Sequence, residues 1–126
     1  MPLAVVNYKP SKFSDWDMKR LTIALPKIIA PALHVESNPE AHLTPDDIEV
    51  WASSSGPYDK MGPYDLCVFI FANEYPERIP LLNDAATHIA GELRELLMRL
   101  HLVGEKSVRA WVWPFLGKAS FVDFSS

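Results

Sequence analysis

Pro2 stands directly after Met1 and directly before a short valine-rich run, Leu3 to Tyr8. Removal of Met1 would leave Pro2 as a free secondary amine. An apolar pocket disfavours the ammonium form and draws such an amine's pKa towards neutrality. It can then take a proton as a general base, or return one as a general acid. The plainer role for proline here is to start a strand where no ladder hydrogen bond is lost. Two arginines have the chemistry to hold an anion. Arg78 closes the turn Glu74-Tyr75-Pro76-Glu77-Arg78, and Arg109 alternates with Val108 and Ala110, sharing a strand face with Trp111 and Trp113. A guanidinium can grip both oxygens of a carboxylate in one plane. For Arg78 the competing role is a solvated turn residue paired with Glu74 or Glu77. A charge on an aromatic strand face is costly unless paired, so Arg109 is expected in a pocket or a subunit interface. The aromatic residues Trp51, Trp111, Trp113 and Phe115 are expected mainly to pack in the core or at an interface.

Other chemistries find little support. His34, His42, His88 and His101 are scattered, with no i,i+4 pair and no zinc-type motif, so no metal site is expected. Cys67 is the single cysteine, lies within an apolar run, and reads as a small hydrophobe. No glycine-rich phosphate loop or dinucleotide fingerprint occurs, and no organic cofactor is expected. A net charge of −4 lacks the basic footprint of a nucleic-acid binder. The longest apolar run, Leu66 to Ala72, is far short of the ~20 residues of a membrane span. With no basic leader ahead of Leu3, a cytoplasmic location is expected.

The elements that must position these residues follow from periodicity and punctuation. The 126 residues suit one domain, 1–126, and 48% hydrophobic against 22% charged residues is an ordinary globular balance. Eleven prolines spread along the chain predict short elements with defined ends. Leu3 to Tyr8 is a first strand. Ser14 opens a helix with Asp17 as a capping-box partner, and Leu21, Leu25, Ile28, Ile29 and Ala32 share one face. Pro26 and Pro31 predict a kink or a break in it. Ile48 to Ala52 alternates as a second strand. Leu66 to Ala72, apolar on both faces, predicts a central strand covered on both sides. A long helix is expected from about Pro80 to Leu100, with Gly104 as a stop. Val108 to Trp113 is a fourth strand, and 121–124 a short tail strand. Asp47 to Ala52 aligns without gaps on Ser107 to Val112, with tryptophan at the same place. The chain therefore reads as an α/β protein, β-α-β-β-α-β, with half-repeats at about 2–53 and 65–113. Two tandem βαβ units of right-handed crossover would form a four-stranded mixed sheet with both helices on one face. Such an order suits either a ferredoxin-like binding module or the fold named next.

Met1-Pro2 ahead of a strand and the paired βαβ units together resemble the tautomerase superfamily, whose members use an N-terminal proline uncovered by methionine removal. Lys12-Phe13-Ser14-Asp15 resembles the basic-Ser-Asp turn of 4-oxalocrotonate tautomerase, with Phe13 as an extra residue. Ser107-Val108-Arg109 resembles that family's second strand, whose arginine binds a substrate carboxylate. Phe121 lies one residue from the place of the family's pocket aromatic. The length is that of the two-repeat, trimer-forming branches, which include macrophage migration inhibitory factor (MIF). Asp47 and Glu49 resemble the position of the water-activating aspartate in malonate semialdehyde decarboxylase.

The resemblance implies a tautomerase (MIF-like) fold and a homotrimer. It also implies keto–enol proton transfer on a small anionic organic substrate, with Pro2 as base. Arg78, Arg109 and Lys12 would hold the substrate, beside Trp113 and Phe121. The alternatives are dehalogenation, hydration or decarboxylation through water activated by Asp47 or Glu49, and a non-catalytic ferredoxin-like ligand-binding module.

Overall fold

The computed structural model describes residues 2–100 and 108–118. Its elements are β1 (Leu3–Tyr8), α1 (Asp15–Leu33), β2 (Glu49–Ser54), β3 (Leu66–Asn73), α2 (Leu82–Arg99) and β4 (Ala110–Gly117). Two single 3-10 turns, Pro39–Ala41 and Pro45–Asp47, lie between α1 and β2. The sheet order is β2-β1-β3-β4. β1 runs parallel to β2 and antiparallel to β3, and β3 runs parallel to β4. Each βαβ unit thus keeps its two strands adjacent, unlike the split βαβ of a ferredoxin-like sheet.

The sheet is two-sided in the strict sense. Ala4, Val6, Leu66, Val68, Ile70 and Ala72 point to the helices and are buried. They meet Leu21, Leu25, Ile29 and Leu33 of α1 and Ile89, Leu93, Leu96 and Leu97 of α2 in one core. Each fully buried aliphatic side chain contributes roughly 1.5–3 kcal/mol. The odd-numbered strand residues face away from the helices. In the protomer this second face is open, so β3 is covered on one side only: its odd positions are half-buried or exposed. Trp51 and Trp111, matched by the sequence repeat, both lie on this face. The expected tail strand at 121–124 and the stop at Gly104 lie outside the described residues.

Helix α1 does not break at its prolines. It continues unbroken for 19 residues through Pro26 and Pro31. Pro26 is half-buried and Pro31 exposed, while Leu25, Ile28, Ile29 and Ala30 hold the opposite face in the core. Carbonyls that lose a donor on the outer face are reached by water, so packing keeps the helix whole. Its start follows the expected pattern: Ser14 accepts from Asp17 N–H at 3.1 Å, and Asp17 accepts from Ser14 N–H at 2.9 Å.

Candidate active site

Pro2 is buried at the head of β1, and its carbonyl accepts the Glu49 N–H at 3.0 Å. Leu3 is paired with Phe71, which in turn is paired with Phe115. One end of the sheet therefore gathers the start of β1 with the ends of β3 and β4. A cleft of about 290 Å³ opens there, lined by Leu3, Phe71, Ala72, Asn73, Phe115, Leu116, Gly117 and Lys118. Phe71 and Phe115 stack at 5.4 Å, an apolar floor for a planar ligand. Asn73 supplies amide hydrogen bonds and Lys118 a positive charge. Lys118 had no motif or pattern to mark it in the sequence. Only its position after β4 brings it to this end.

Arg78 belongs to the same end but not to the cleft surface. It is 2% exposed. Its Nε donates to the Leu33 carbonyl at 2.9 Å, Nη1 to Asn73 at 3.1 Å and Nη2 to Ala41 at 3.4 Å. The guanidinium also lies 5.0 Å from the Tyr75 ring centroid. Burial pushes its pKa down from the ordinary value, and Tyr75 opposes that shift. This is a buried clasp, neither a solvated turn arginine nor an exposed carboxylate grip. It ties the end of α1 and the following 3-10 turn to the end of β3. In doing so it fixes the backbone of Asn73, a cleft residue.

The remaining cationic candidates lie at the far end. Arg109 precedes β4, where its carbonyl accepts from Asp65 N–H at 2.8 Å and its N–H donates to the Asp65 carboxylate at 2.9 Å. Its residue is exposed. Lys12 sits in the turn after β1, its N–H on the Lys9 carbonyl at 3.0 Å. The six residues of β1 separate this end from Pro2 by about 20 Å. Within one protomer neither side chain shares a site with Pro2. Trp113 is on the open face between them, stacked on Phe115 at 6.2 Å and 5.1 Å from Trp111.

The whole chain can now be set against known proteins. No family model matches the sequence, and no curated protein matches it significantly. Solved structures do match in shape. The crystal structure of a 5-carboxymethyl-2-hydroxymuconate delta-isomerase superposes with a TM-score of 0.67 at 17% identity, covering 99% of this chain and 89% of that one. Leishmania major MIF2 superposes with a TM-score of 0.50 at 16% identity, covering 98% and 94%. The fold is that of the tautomerase superfamily.

Within this tautomerase fold the two candidate acids separate. Asp47 is occupied in capping the 3-10 turn, its carboxylate taking the Thr44 N–H at 2.8 Å and hydroxyl at 3.3 Å. Glu49 is exposed, paired with Leu3 across the β1–β2 ladder and bonded through its N–H to Pro2. Phe121 lies outside the described residues. Cys67 is half-buried at the far end, beside a depression of about 380 Å³ that also includes Asn7, Lys60 and Phe69. Burial pushes the Cys67 thiol up, which keeps it protonated and unreactive near neutral pH. His34 and His42, unrelated by any helical spacing, come together with ring centroids 4.8 Å apart. The Pro39–Ala41 turn folds the chain back between them, a closure that spacing alone does not reveal. Among the described residues, no helix is long and apolar enough to cross a membrane.

Proposed function

We propose that the chain is a tautomerase-like enzyme. It moves a proton alpha to a carbonyl on a small carboxylate-bearing substrate, with Pro2, uncovered by removal of Met1, as general base. The observation that carries this reading is the burial of Pro2 at the head of β1, one residue before Leu3, which lines an apolar cleft with one cation. Burial lowers the proton affinity of a secondary amine, which is what a base at neutral pH requires. The Glu49 N–H on the Pro2 carbonyl keeps the residue in register with its neighbours. Lys118 and Asn73 would hold the substrate carboxylate and the developing enolate oxygen, over the stacked pair Phe71 and Phe115. Arg78 serves as a positioning residue through the Asn73 backbone. The single domain would need neither metal nor organic cofactor for this step.

The open sheet face supports a homotrimer. Trp51 is 60% exposed, and Tyr64, Trp111, Trp113, Phe115 and Phe71 form a continuous ring-to-ring row across the face. So large an apolar surface calls for burial between copies. In such an assembly Arg109, and Lys12 with it, would serve the Pro2 cleft of a neighbouring subunit, with Trp113 at the junction. A hydrolytic reaction is favoured by one observation, the exposed Glu49 next to Pro2, which could activate water where Asp47 is committed to its cap. A cytoplasmic location fits such a metabolic role.

Intact mass and activity on phenylenolpyruvate test the reading together. The purified protein should lack one methionine residue, and Pro2→Ala should lower kcat/KM by at least roughly a hundredfold while the melting temperature holds. Retained Met1 in an active protein, or full activity in Pro2→Ala, would remove the proline mechanism.

A further inference from the structure

We propose that His34, Glu36 and His42 form a binding site for a divalent transition-metal ion such as zinc, separate from the Pro2 cleft. One ligand atom from each of these residues lies within 4.8 Å of the other two. Two imidazoles and one carboxylate are a donor set that suits zinc and leaves a fourth position for water. The nitrogen donors select against calcium and magnesium, which take oxygen ligands. Glu36 and His42 are exposed and His34 is half-buried, so an ion can enter from solvent.

The backbone beneath the site is held in advance. Arg78 binds the carbonyls of Leu33 and Ala41, the first just before the site and the second within it. Val35 N–H donates to the Ala41 carbonyl at 3.2 Å and closes the loop. His42 Nε2 lies 2.8 Å from the Glu36 carbonyl. A carbonyl only accepts, so the ring carries its proton at Nε2 and keeps a lone pair on Nδ1. This outer hydrogen bond to a carbonyl is the kind that orients metal-bound histidines.

His34 must change tautomer to take part. Its Nδ1 accepts the Leu43 N–H at 2.9 Å, so the ring proton sits on Nε2, 2.8 Å from Glu36 Oε2. The ion takes that proton's place between Nε2 and the carboxylate. The proton passes to Nδ1, no net proton is released, and the Leu43 N–H turns to water. One lost hydrogen bond weakens the site roughly tenfold relative to a ring already in the right tautomer. It also gives binding a specific signature at the Leu43 amide.

Titration of the full chain with zinc chloride, followed by calorimetry and by amide NMR, tests the site. One zinc per chain should bind with a micromolar dissociation constant, and the Leu43 amide resonance should move. His42→Ala and Glu36→Gln should each weaken binding at least roughly tenfold, while His88→Ala leaves it unchanged. Both altered positions are exposed, so these variants keep the fold. No binding below millimolar zinc would overturn the proposal. So would binding indifferent to His42→Ala and Glu36→Gln, or bound zinc that leaves the Leu43 amide unmoved.

Discussion

At the scale of single residues, Arg78 and Pro2 show how far type and spacing carry. A guanidinium in a turn after a strand has the right chemistry for a carboxylate, and that turn follows the end of β3 at the Pro2 end of the sheet. What it could not show was that three carbonyls, from Leu33, Asn73 and Ala41, converge on that guanidinium. Those acceptors come from segments about 5 to 45 residues away, and nothing local marks them. The expected consequence is measurable. Arg78→Ala should leave buried carbonyls without donors and cost roughly 3 kcal/mol, a fall in Tm of roughly 10 °C by thermal denaturation. Arg78→Lys should recover little of it, because one ammonium cannot span three separated acceptors. A variant that melts like the parent but binds substrate poorly would instead mark Arg78 as a direct carboxylate ligand.

At the scale of elements, the strands and caps were legible because their determinants are local. β1 begins and ends where its apolar run does, and α1 starts at the Ser14–Asp17 box. Ser14→Ala should therefore cost about 1 kcal/mol in chemical denaturation, and Ser14→Asp should restore most of that. An unchanged midpoint in Ser14→Ala would mean that α1 is held by packing alone. The expected break at the two internal prolines did not occur, and the reason is again one of local against tertiary determinants. Propensity counts the lost N–H groups of Pro26 and Pro31 but not the core contacts of Leu21, Leu25, Ile29 and Leu33 that keep the helix continuous. The end of β4 was placed short because Pro114 reads as a terminator. On a strand paired only with β3, a missing N–H can face outward without loss to the ladder.

At the scale of the whole molecule, the open sheet face is where the proposed assembly can be tested. The proposed trimer would bury the aromatic row from Tyr64 to Phe71. Light scattering at micromolar concentration should give three chains per particle. Trp113→Glu should shift the particle to a monomer, because an unpaired carboxylate would be buried in each copy. If the trimer completes the site with Arg109, the same variant loses activity in step with its loss of assembly. A monomeric parent protein would remove both the trimer and the role of Arg109 in a neighbouring cleft.

Composition and periodicity alone determined the class of this protein. Alternation of period two and stripes of period 3.6 specify the four strands and two helices, and the order of elements then leaves few topologies. The Trp51 and Trp111 repeat and the Met1-Pro2 start were also readable, since each depends only on neighbours in the chain. Tertiary structure decided which functional groups meet. Pairing of β1 with β3 and of β3 with β4 set the start of β1 at the same end of the sheet as Lys118 and put Arg109 at the other end, more than about 20 Å from Pro2. The fold-back at Pro39–Ala41 joined His34 to His42, and burial turned Arg78 from a surface charge into a clasp. Distances across a sheet or a loop depend on register and packing, which are properties of the assembled core and not of any stretch of sequence.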